Sequence, residues 1–254
     1  MVRNVQHFFV LFVKYAFAYK INIFWLLILP MGIMVWTNRS WLVDEPTSEE
    51  YVRYLAAIWG YMITIIGTNG VGLTILILRE NGFLKMFKYI AGSITPVVWG
   101  QLLSQVLFLL INVVVLTGTT SLLFKPELTL KVLIVSVLVI LIAAIPISLF
   151  FIWIPTLPYR NESITPFVSI SVIILTYLTA SYSPSSSIFW VDFILLFNPV
   201  KFIISLSDTL FVFFKIYSAP TIPFSSYLIV ILTYVMLGYV FLKKVKIRSQ
   251  IIRN

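Results

Sequence analysis

Apolar residues in this chain fall into long runs rather than alternating positions, and six runs reach the length a helix needs to cross a hydrocarbon layer of roughly 30 Å. They occupy 21–38, 54–78, 96–123, 132–156, 164–182 and 225–242. Inside lipid a backbone must satisfy its own hydrogen bonds, so such runs predict helices and no open sheet. The expected fold class is an all-α membrane protein of six transmembrane helices, a single transmembrane domain over 1–254. Ahead of the first run, Val2, Val5, Phe9, Phe12, Ala16 and Tyr19 recur at three- and four-residue spacing, with Arg3, His7 and Lys14 on another face. This pattern predicts an amphipathic helix over 1–20 lying at the membrane interface. The competing reading is an N-terminal extension of the first span.

Between the fifth and sixth runs, 183–223 is apolar but interrupted. Phe202 to Leu206 and Leu210 to Phe214 would suit a seventh span, yet Asp208 falls between them. A charge at that depth is costly, and a seventh crossing would also move the basic tail to the other side. The segment is therefore expected to form two short helices, near 188–197 and 200–217, broken at Asn198-Pro199 and dipping into the outer half of the membrane.

Charge decides orientation. Arg3, Lys14, Lys20, Arg79, Lys85, Lys88, Arg160, Lys243, Lys244, Lys246, Arg248 and Arg253 fall on one side of the runs, against Arg39, Arg53, Lys125, Lys131, Lys201 and Lys215 on the other. Cytoplasmic loops carry the excess of Lys and Arg, so both termini are expected inside a multi-pass protein of the cell (plasma) membrane. Composition agrees, with 60% hydrophobic residues, 11% charged and a mean hydropathy of +1.03. The net charge of +9 is scattered between apolar runs, which excludes a nucleic-acid module. The apolar stretch at the N-terminus is interrupted by Lys14 and Lys20 and lacks a small-residue cleavage pattern, so no signal peptide is expected.

The same composition narrows the chemistry. There is no cysteine and one histidine, His7, so thiolate metal sites, cysteine nucleophiles and histidine-based metal or acid-base centres are out of reach. No Ser-His, H-E-x-x-H or paired-Asp arrangement lies in the runs, so neither catalytic nor metal residues are expected and the chain is not expected to be an enzyme. No ionisable side chain falls near the middle of a run, which disfavours an ion-coupled carrier.

The most informative connection is 79–95. Asn81-Gly82 is suited to end the second helix, and Thr95-Pro96 to cap and begin the third. Between them Phe83, Met86, Phe87 and Ile90 give one short helix an apolar face beside Lys85 and Lys88. Such a helix either docks into a groove on a partner or rests on lipid.

The Arg79-Glu80-Asn81-Gly82 sequence closing the second run, followed by Phe83-Leu84-Lys85 and a small-residue turn into the third, resembles the membrane subunits of type-2 ATP-binding-cassette (ABC) exporters. The resemblance extends to the amphipathic N-terminal helix, Pro30 in the first run, the six-span plan and Phe197-Asn198-Pro199 before the last span. It covers essentially the whole chain through short, degenerate motifs. It implies that 79–95 is a coupling helix seated in a soluble ATPase subunit, present in two copies. Arg79, Glu80, Gly82, Phe83, Lys85, Met86 and Phe87 would carry the coupling, with Glu80 bracing the coupling helix against the N-terminal helix and Phe83 to Phe87 touching the ATPase. It further implies a second permease chain, as homodimer or heterodimer. No glycine-rich phosphate loop is present, so ATP and Mg would bind the partner and this chain would hold no cofactor.

A path through such a protein would be lined by neutral groups, the candidates being Thr68, Asn69, Gln101, Ser104, Gln105 and Asn112. Each has a plain alternative as a helix-to-helix hydrogen bond. Gly60, Gly67, Gly70 and Gly72 would permit close backbone approach, and Trp25, Trp36, Trp41, Trp59 and Trp190 fit interfacial belts. A neutral path suits hydrophobic or amphipathic cargo. The resemblance to small exporters of Gram-positive bacteria, the phenol-soluble modulin exporters among them, implies peptide toxins or bacteriocins. Alternatives are export of drugs or lipid-linked polymers, and a stand-alone membrane immunity or assembly protein.

Overall fold

The computed structural model describes residues 2–18, 20–181, 193–218 and 222–246, and the described residues contain helices and no strand. An N-terminal arm comprises α1 (Val2–Ala18), α2 (Lys20–Ile23), a π-helical turn Phe24–Ile28 and α3 (Leu29–Thr37). Next come α4 (Ser48–Ile65), a π-helical segment Ile66–Leu73 and α5 (Thr74–Glu80), then the short α6 (Phe83–Ala91). The remainder is α7 (Thr95–Phe124), α8 (Thr129–Phe150) with a 3-10 turn Phe151–Thr156, α9 (Asn161–Ser181), α10 (Pro199–Phe213) and α11 (Phe224–Lys244). Five helical stretches are long and apolar enough to cross a membrane: Ser48–Glu80, Thr95–Phe124, Pro126–Thr156, Asn161–Thr179 and Phe224–Lys244. Phe24–Thr37, within the first expected run, is apolar but shorter. The fold is that of an all-helical membrane protein.

Local chemistry sets the ends of these helices. Thr47 and Glu50 form a reciprocal capping box at the start of α4, the Thr47 hydroxyl accepting from Glu50 N–H at 3.2 Å and the Glu50 carboxylate from Thr47 N–H at 3.0 Å. Gly82 and Gly92, with φ of +77° and +76°, bracket α6 in the left-handed region that side chains disfavour. Thr95 is already helical rather than a cap, and Pro96 occupies the first turn of α7 where its missing N–H leaves no partner wanting. Asn198 caps α10 through Val200 N–H at 3.0 Å, with Pro199 in the first turn. Of the other expected short helix, near 188–197, residues 188–192 lie outside the described residues and 193–195 are helical.

The core is built around α4. Its Trp59 indole donates to Thr117 of α7 at 3.0 Å, and Val200 of α10 packs directly over Gly60. On the far flank Leu149 of α8 sits against Gly238 of α11. Within α4 and its π-helical continuation, Gly67 and Gly72 admit Phe151 and Ile154 of the 3-10 turn, so these close approaches are made within one chain. One end of the bundle carries the α5–α6 connection and the turn before α9. The opposite end carries the Lys125–Glu45 ion pair at 3.1 Å.

The N-terminal helix does not lie across the end of the bundle. Phe8 packs on Gly100 of α7, while Phe17 meets Phe108 with ring centroids 5.3 Å apart. Nine residues along α1 thus match eight along α7, so the two helices run side by side in the same direction. The buried stripe Phe8, Phe12, Ala16 explains this, because four-residue spacing presents a continuous apolar edge to a neighbouring helix. The arrangement is that of an extension of the first run.

Candidate functional site

Two features stand out, one at the α5–α6 end and one inside the bundle. At the end of α5, Arg79 is 1% exposed. Its guanidinium donates to the carbonyls of Pro155 at 2.8 Å, Leu157 at 2.7 Å and Tyr159 at 3.2 Å. The neighbouring Glu80 carboxylate accepts from Asn161 N–H at 2.8 Å, at the positive end of α9. Together the pair fastens the 155–161 turn to α5. Glu80 therefore braces the start of α9, in place of the N-terminal helix the resemblance implies, because its carboxylate is taken up by Asn161 N–H.

The N-terminal helix is instead held by α6 itself. Phe87 meets Phe8 at 5.3 Å and Phe12 at 6.2 Å between ring centroids, and Asn4 donates to Ala91 O at 3.3 Å. Leu84 is fully buried on the same face. Phe87 is thus committed to packing inside the chain. Phe83 and Met86, each 47% exposed, Tyr89 at 91% and Ile90 at 71% form the outward surface, with Lys85 exposed beside them and Gly82 opening the helix. Tyr89 was not singled out by the sequence pattern, although it follows Phe83 and Met86 at the i, i+3, i+6 positions of one helix edge.

Inside the bundle, a cavity of about 490 Å³ lies between α1, the Phe24–Ile28 turn, the Ile66–Leu73 segment, α7 and α9. Asn69, Gln101 and Gln105 of the expected path line it together. Thr68 and Asn112 do not: Thr68 is turned back to Thr64 O at 2.9 Å, and Asn112 to Phe108 O at 2.7 Å one turn beyond the cavity. Ser104 bonds Gln101 O at 2.7 Å within its own helix. Both π-helical stretches face the cavity, a placement typical of such widened turns at functional sites. The Ile66–Leu73 stretch is stitched by side chains, Gln101 Nε2 donating to Gly70 O at 2.6 Å and Thr74 Oγ1 to Asn69 O at 3.0 Å. Trp25 and Tyr61 also line the space. The sequence held a clue to Tyr61, which precedes Ile65 and Asn69 at four-residue steps, but none to Trp25, whose place depends on how the N-terminal arm docks.

No group of three or more His, Asp or Glu side chains placed to hold a metal ion occurs among the described residues. Comparison with protein-family models, curated proteins and solved structures found no match.

Proposed function

We propose that this chain is the membrane-spanning permease subunit of an ABC exporter, moving hydrophobic or amphipathic cargo with ATP hydrolysed by a separate subunit. The supporting observation is α6, a short helix set between two left-handed glycines, anchored by Leu84 and Phe87 and presenting Phe83, Met86, Tyr89 and Ile90 outward. An exposed apolar edge on a rigidly mounted end-of-bundle helix suits insertion into a partner's groove. In this reading α6 is the coupling helix, the N-terminal arm supplies the sixth span, and both termini are cytoplasmic. Arg79 and Glu80 then pass motion of α6 to α9 through the 155–161 turn, while Phe87 passes it to α1. Cargo is amphipathic, peptide toxins or bacteriocins being the class implied by resemblance, since the cavity is neutral and partly aromatic.

The test is co-purification with soluble ABC ATPase subunits co-expressed from the same genome, followed by ATP hydrolysis in lipid. The wild type is expected to form a stable complex whose turnover rises with an amphipathic peptide. Phe83→Asp and Ile90→Asp, both at exposed positions, are expected to abolish the complex while the chain stays folded and inserted. A complex that survives both changes would remove α6 from the interface. Absence of any complex would favour a stand-alone membrane protein.

A further inference from the structure

Leu84 and Phe87 seat α6 on the bundle, and the rest of its circumference is left open. At 100° per residue Phe83, Met86 and Ile90 fall along one exposed edge with Tyr89 beside them, followed round the helix by exposed Lys85 and half-buried Lys88. The first turn of α1 adjoins this surface. Asn4 donates to Ala91 O at 3.3 Å, which sets the start of α1 against the end of α6, and Arg3 next to Asn4 is exposed. These three cations lack carboxylates. Neither α1 nor α6 contains an Asp or Glu, and Glu80 just before α6 is taken up by Asn161 N–H. The ion pairs among the described residues, Arg53 with Glu49 and Lys125 with Glu45 and Glu127, stand at the opposite end of the bundle.

An apolar edge bordered by cations suits either an anionic membrane or a protein, and depth separates the two. Because α1 runs along α7, exposed Lys14 marks a level that the hydrocarbon layer does not pass, a charge being excluded from it. Asn4 precedes Lys14 by ten residues, about 15 Å along the helix axis toward the basic end. Asn4, and Ala91 with it, therefore stands clear of the acyl chains even when the Lys14 stem snorkels. Acyl chains thus leave Tyr89 and Ile90 at that end of α6 uncovered. Apolar side chains held in water beside unpaired cations match a protein groove with an apolar floor and carboxylates on its rim.

We propose that α6 and the first turn of α1 form one docking surface for a soluble protein with an acid-rimmed apolar groove, its carboxylates meeting Arg3 and Lys85 and its floor taking Phe83, Met86 and Ile90. The proposal rests on the permease reading and gives the ATPase contact a charge and a second helix.

The full chain in phosphatidylcholine nanodiscs is titrated with a purified ABC ATPase subunit of the same genome, and the dissociation constant is followed with salt. Binding is expected to weaken about tenfold from about 0.05 to about 0.5 M salt. Arg3→Glu and Lys85→Glu are each expected to weaken low-salt binding about tenfold and to flatten its salt dependence, while Lys243→Glu, an equal charge change on α11, leaves it at the wild-type value. Because both changes are at exposed positions, unaltered melting temperatures are expected. Tyr89→Cys, the chain's one cysteine, carries an environment-sensitive dye whose emission is expected to shift to the blue when the ATPase is added and to stay unchanged when phosphatidylglycerol replaces part of the phosphatidylcholine. A complex indifferent to salt and to both charge reversals would retain the permease and overturn the acidic rim. Loss with Lys85→Glu but not Arg3→Glu would overturn the two-helix surface. A blue shift with phosphatidylglycerol alone would assign the face to lipid and overturn the proposal, and absence of any wild-type complex would overturn it together with the permease reading.

Discussion

Arg79 shows how much one side chain can organise at the end of a bundle. Three carbonyls from residues 155–159 converge on its guanidinium, and the charge is held by dipoles rather than by a salt bridge. Arg79→Met is expected to cost about 2–4 kcal/mol by leaving those carbonyls unpaired, seen as a lower melting temperature in detergent, with Arg79→Lys in between. An unchanged melting temperature for Arg79→Met would show that the turn is held by other contacts. Asp208 makes a second residue-scale case. Burial raises its carboxyl above the usual carboxylate range, opposed in part by the Tyr217 hydroxyl donating at 2.5 Å and by the charges of Arg53 and Lys201. The folded state then holds the proton more tightly than the unfolded one, so this group's contribution to stability falls as pH rises from about 3.9 through the folded value and is constant above it. Asp208→Asn is expected to remove that fall. Melting curves of the two proteins that stay parallel across pH 4–7 would contradict it.

At the scale of elements, the decisive contact is between α1 and α7. A Cβ on Gly100 would lie 2.5 Å from Phe8 Cβ and 3.0 Å from the Phe8 carbonyl carbon, a clash with backbone that no rotamer relieves. Gly100→Leu is therefore expected to push α1 away and to separate Asn4 from Ala91. The chain has no cysteine, so a disulfide between Asn4→Cys and Ala91→Cys reports this contact without background. Fast oxidation in the otherwise native chain and a loss of at least about tenfold in rate with Gly100→Leu are expected, a factor equal to about 1.4 kcal/mol of displaced equilibrium. Equal rates would mean that α1 reaches α6 independently of α7. The sequence pattern found Phe12 and Ala16 of the buried stripe of α1 but neither Phe8 nor the direction of the stripe, and it included Val2, which is exposed, because a helix edge of Phe and Ala satisfies lipid and protein equally well.

For the whole molecule, the Ser48–Glu80 stretch carries the topological claim. Single cysteines at Glu45 and Lys85 flank it, and a membrane-impermeant maleimide on intact cells is expected to label Glu45→Cys alone, with Lys85→Cys labelled only after lysis. Labelling of both from outside would reverse or break the crossing. The runs, their helicity, the stop at Asn81-Gly82 and the position of α6 were legible in the chain, because length, hydropathy and special backbone angles are local properties. The amides Asn69, Gln101 and Gln105 were legible as polar exceptions in apolar helices. Their convergence on one cavity was not, nor was the departure of Thr68 and Asn112 from it, since each could bond its own helix or face another. The tasks of Arg79, Glu80 and Phe87 also waited on the fold: a charge pair and an aromatic at a helix end carry no mark of the turn or helix they will grip. The sequence by itself determined a helical membrane protein with one short amphipathic helix at its basic end. Tertiary packing alone decided which face of that helix remains outward and which amide residues line one cavity, because both depend on neighbours far away in the chain.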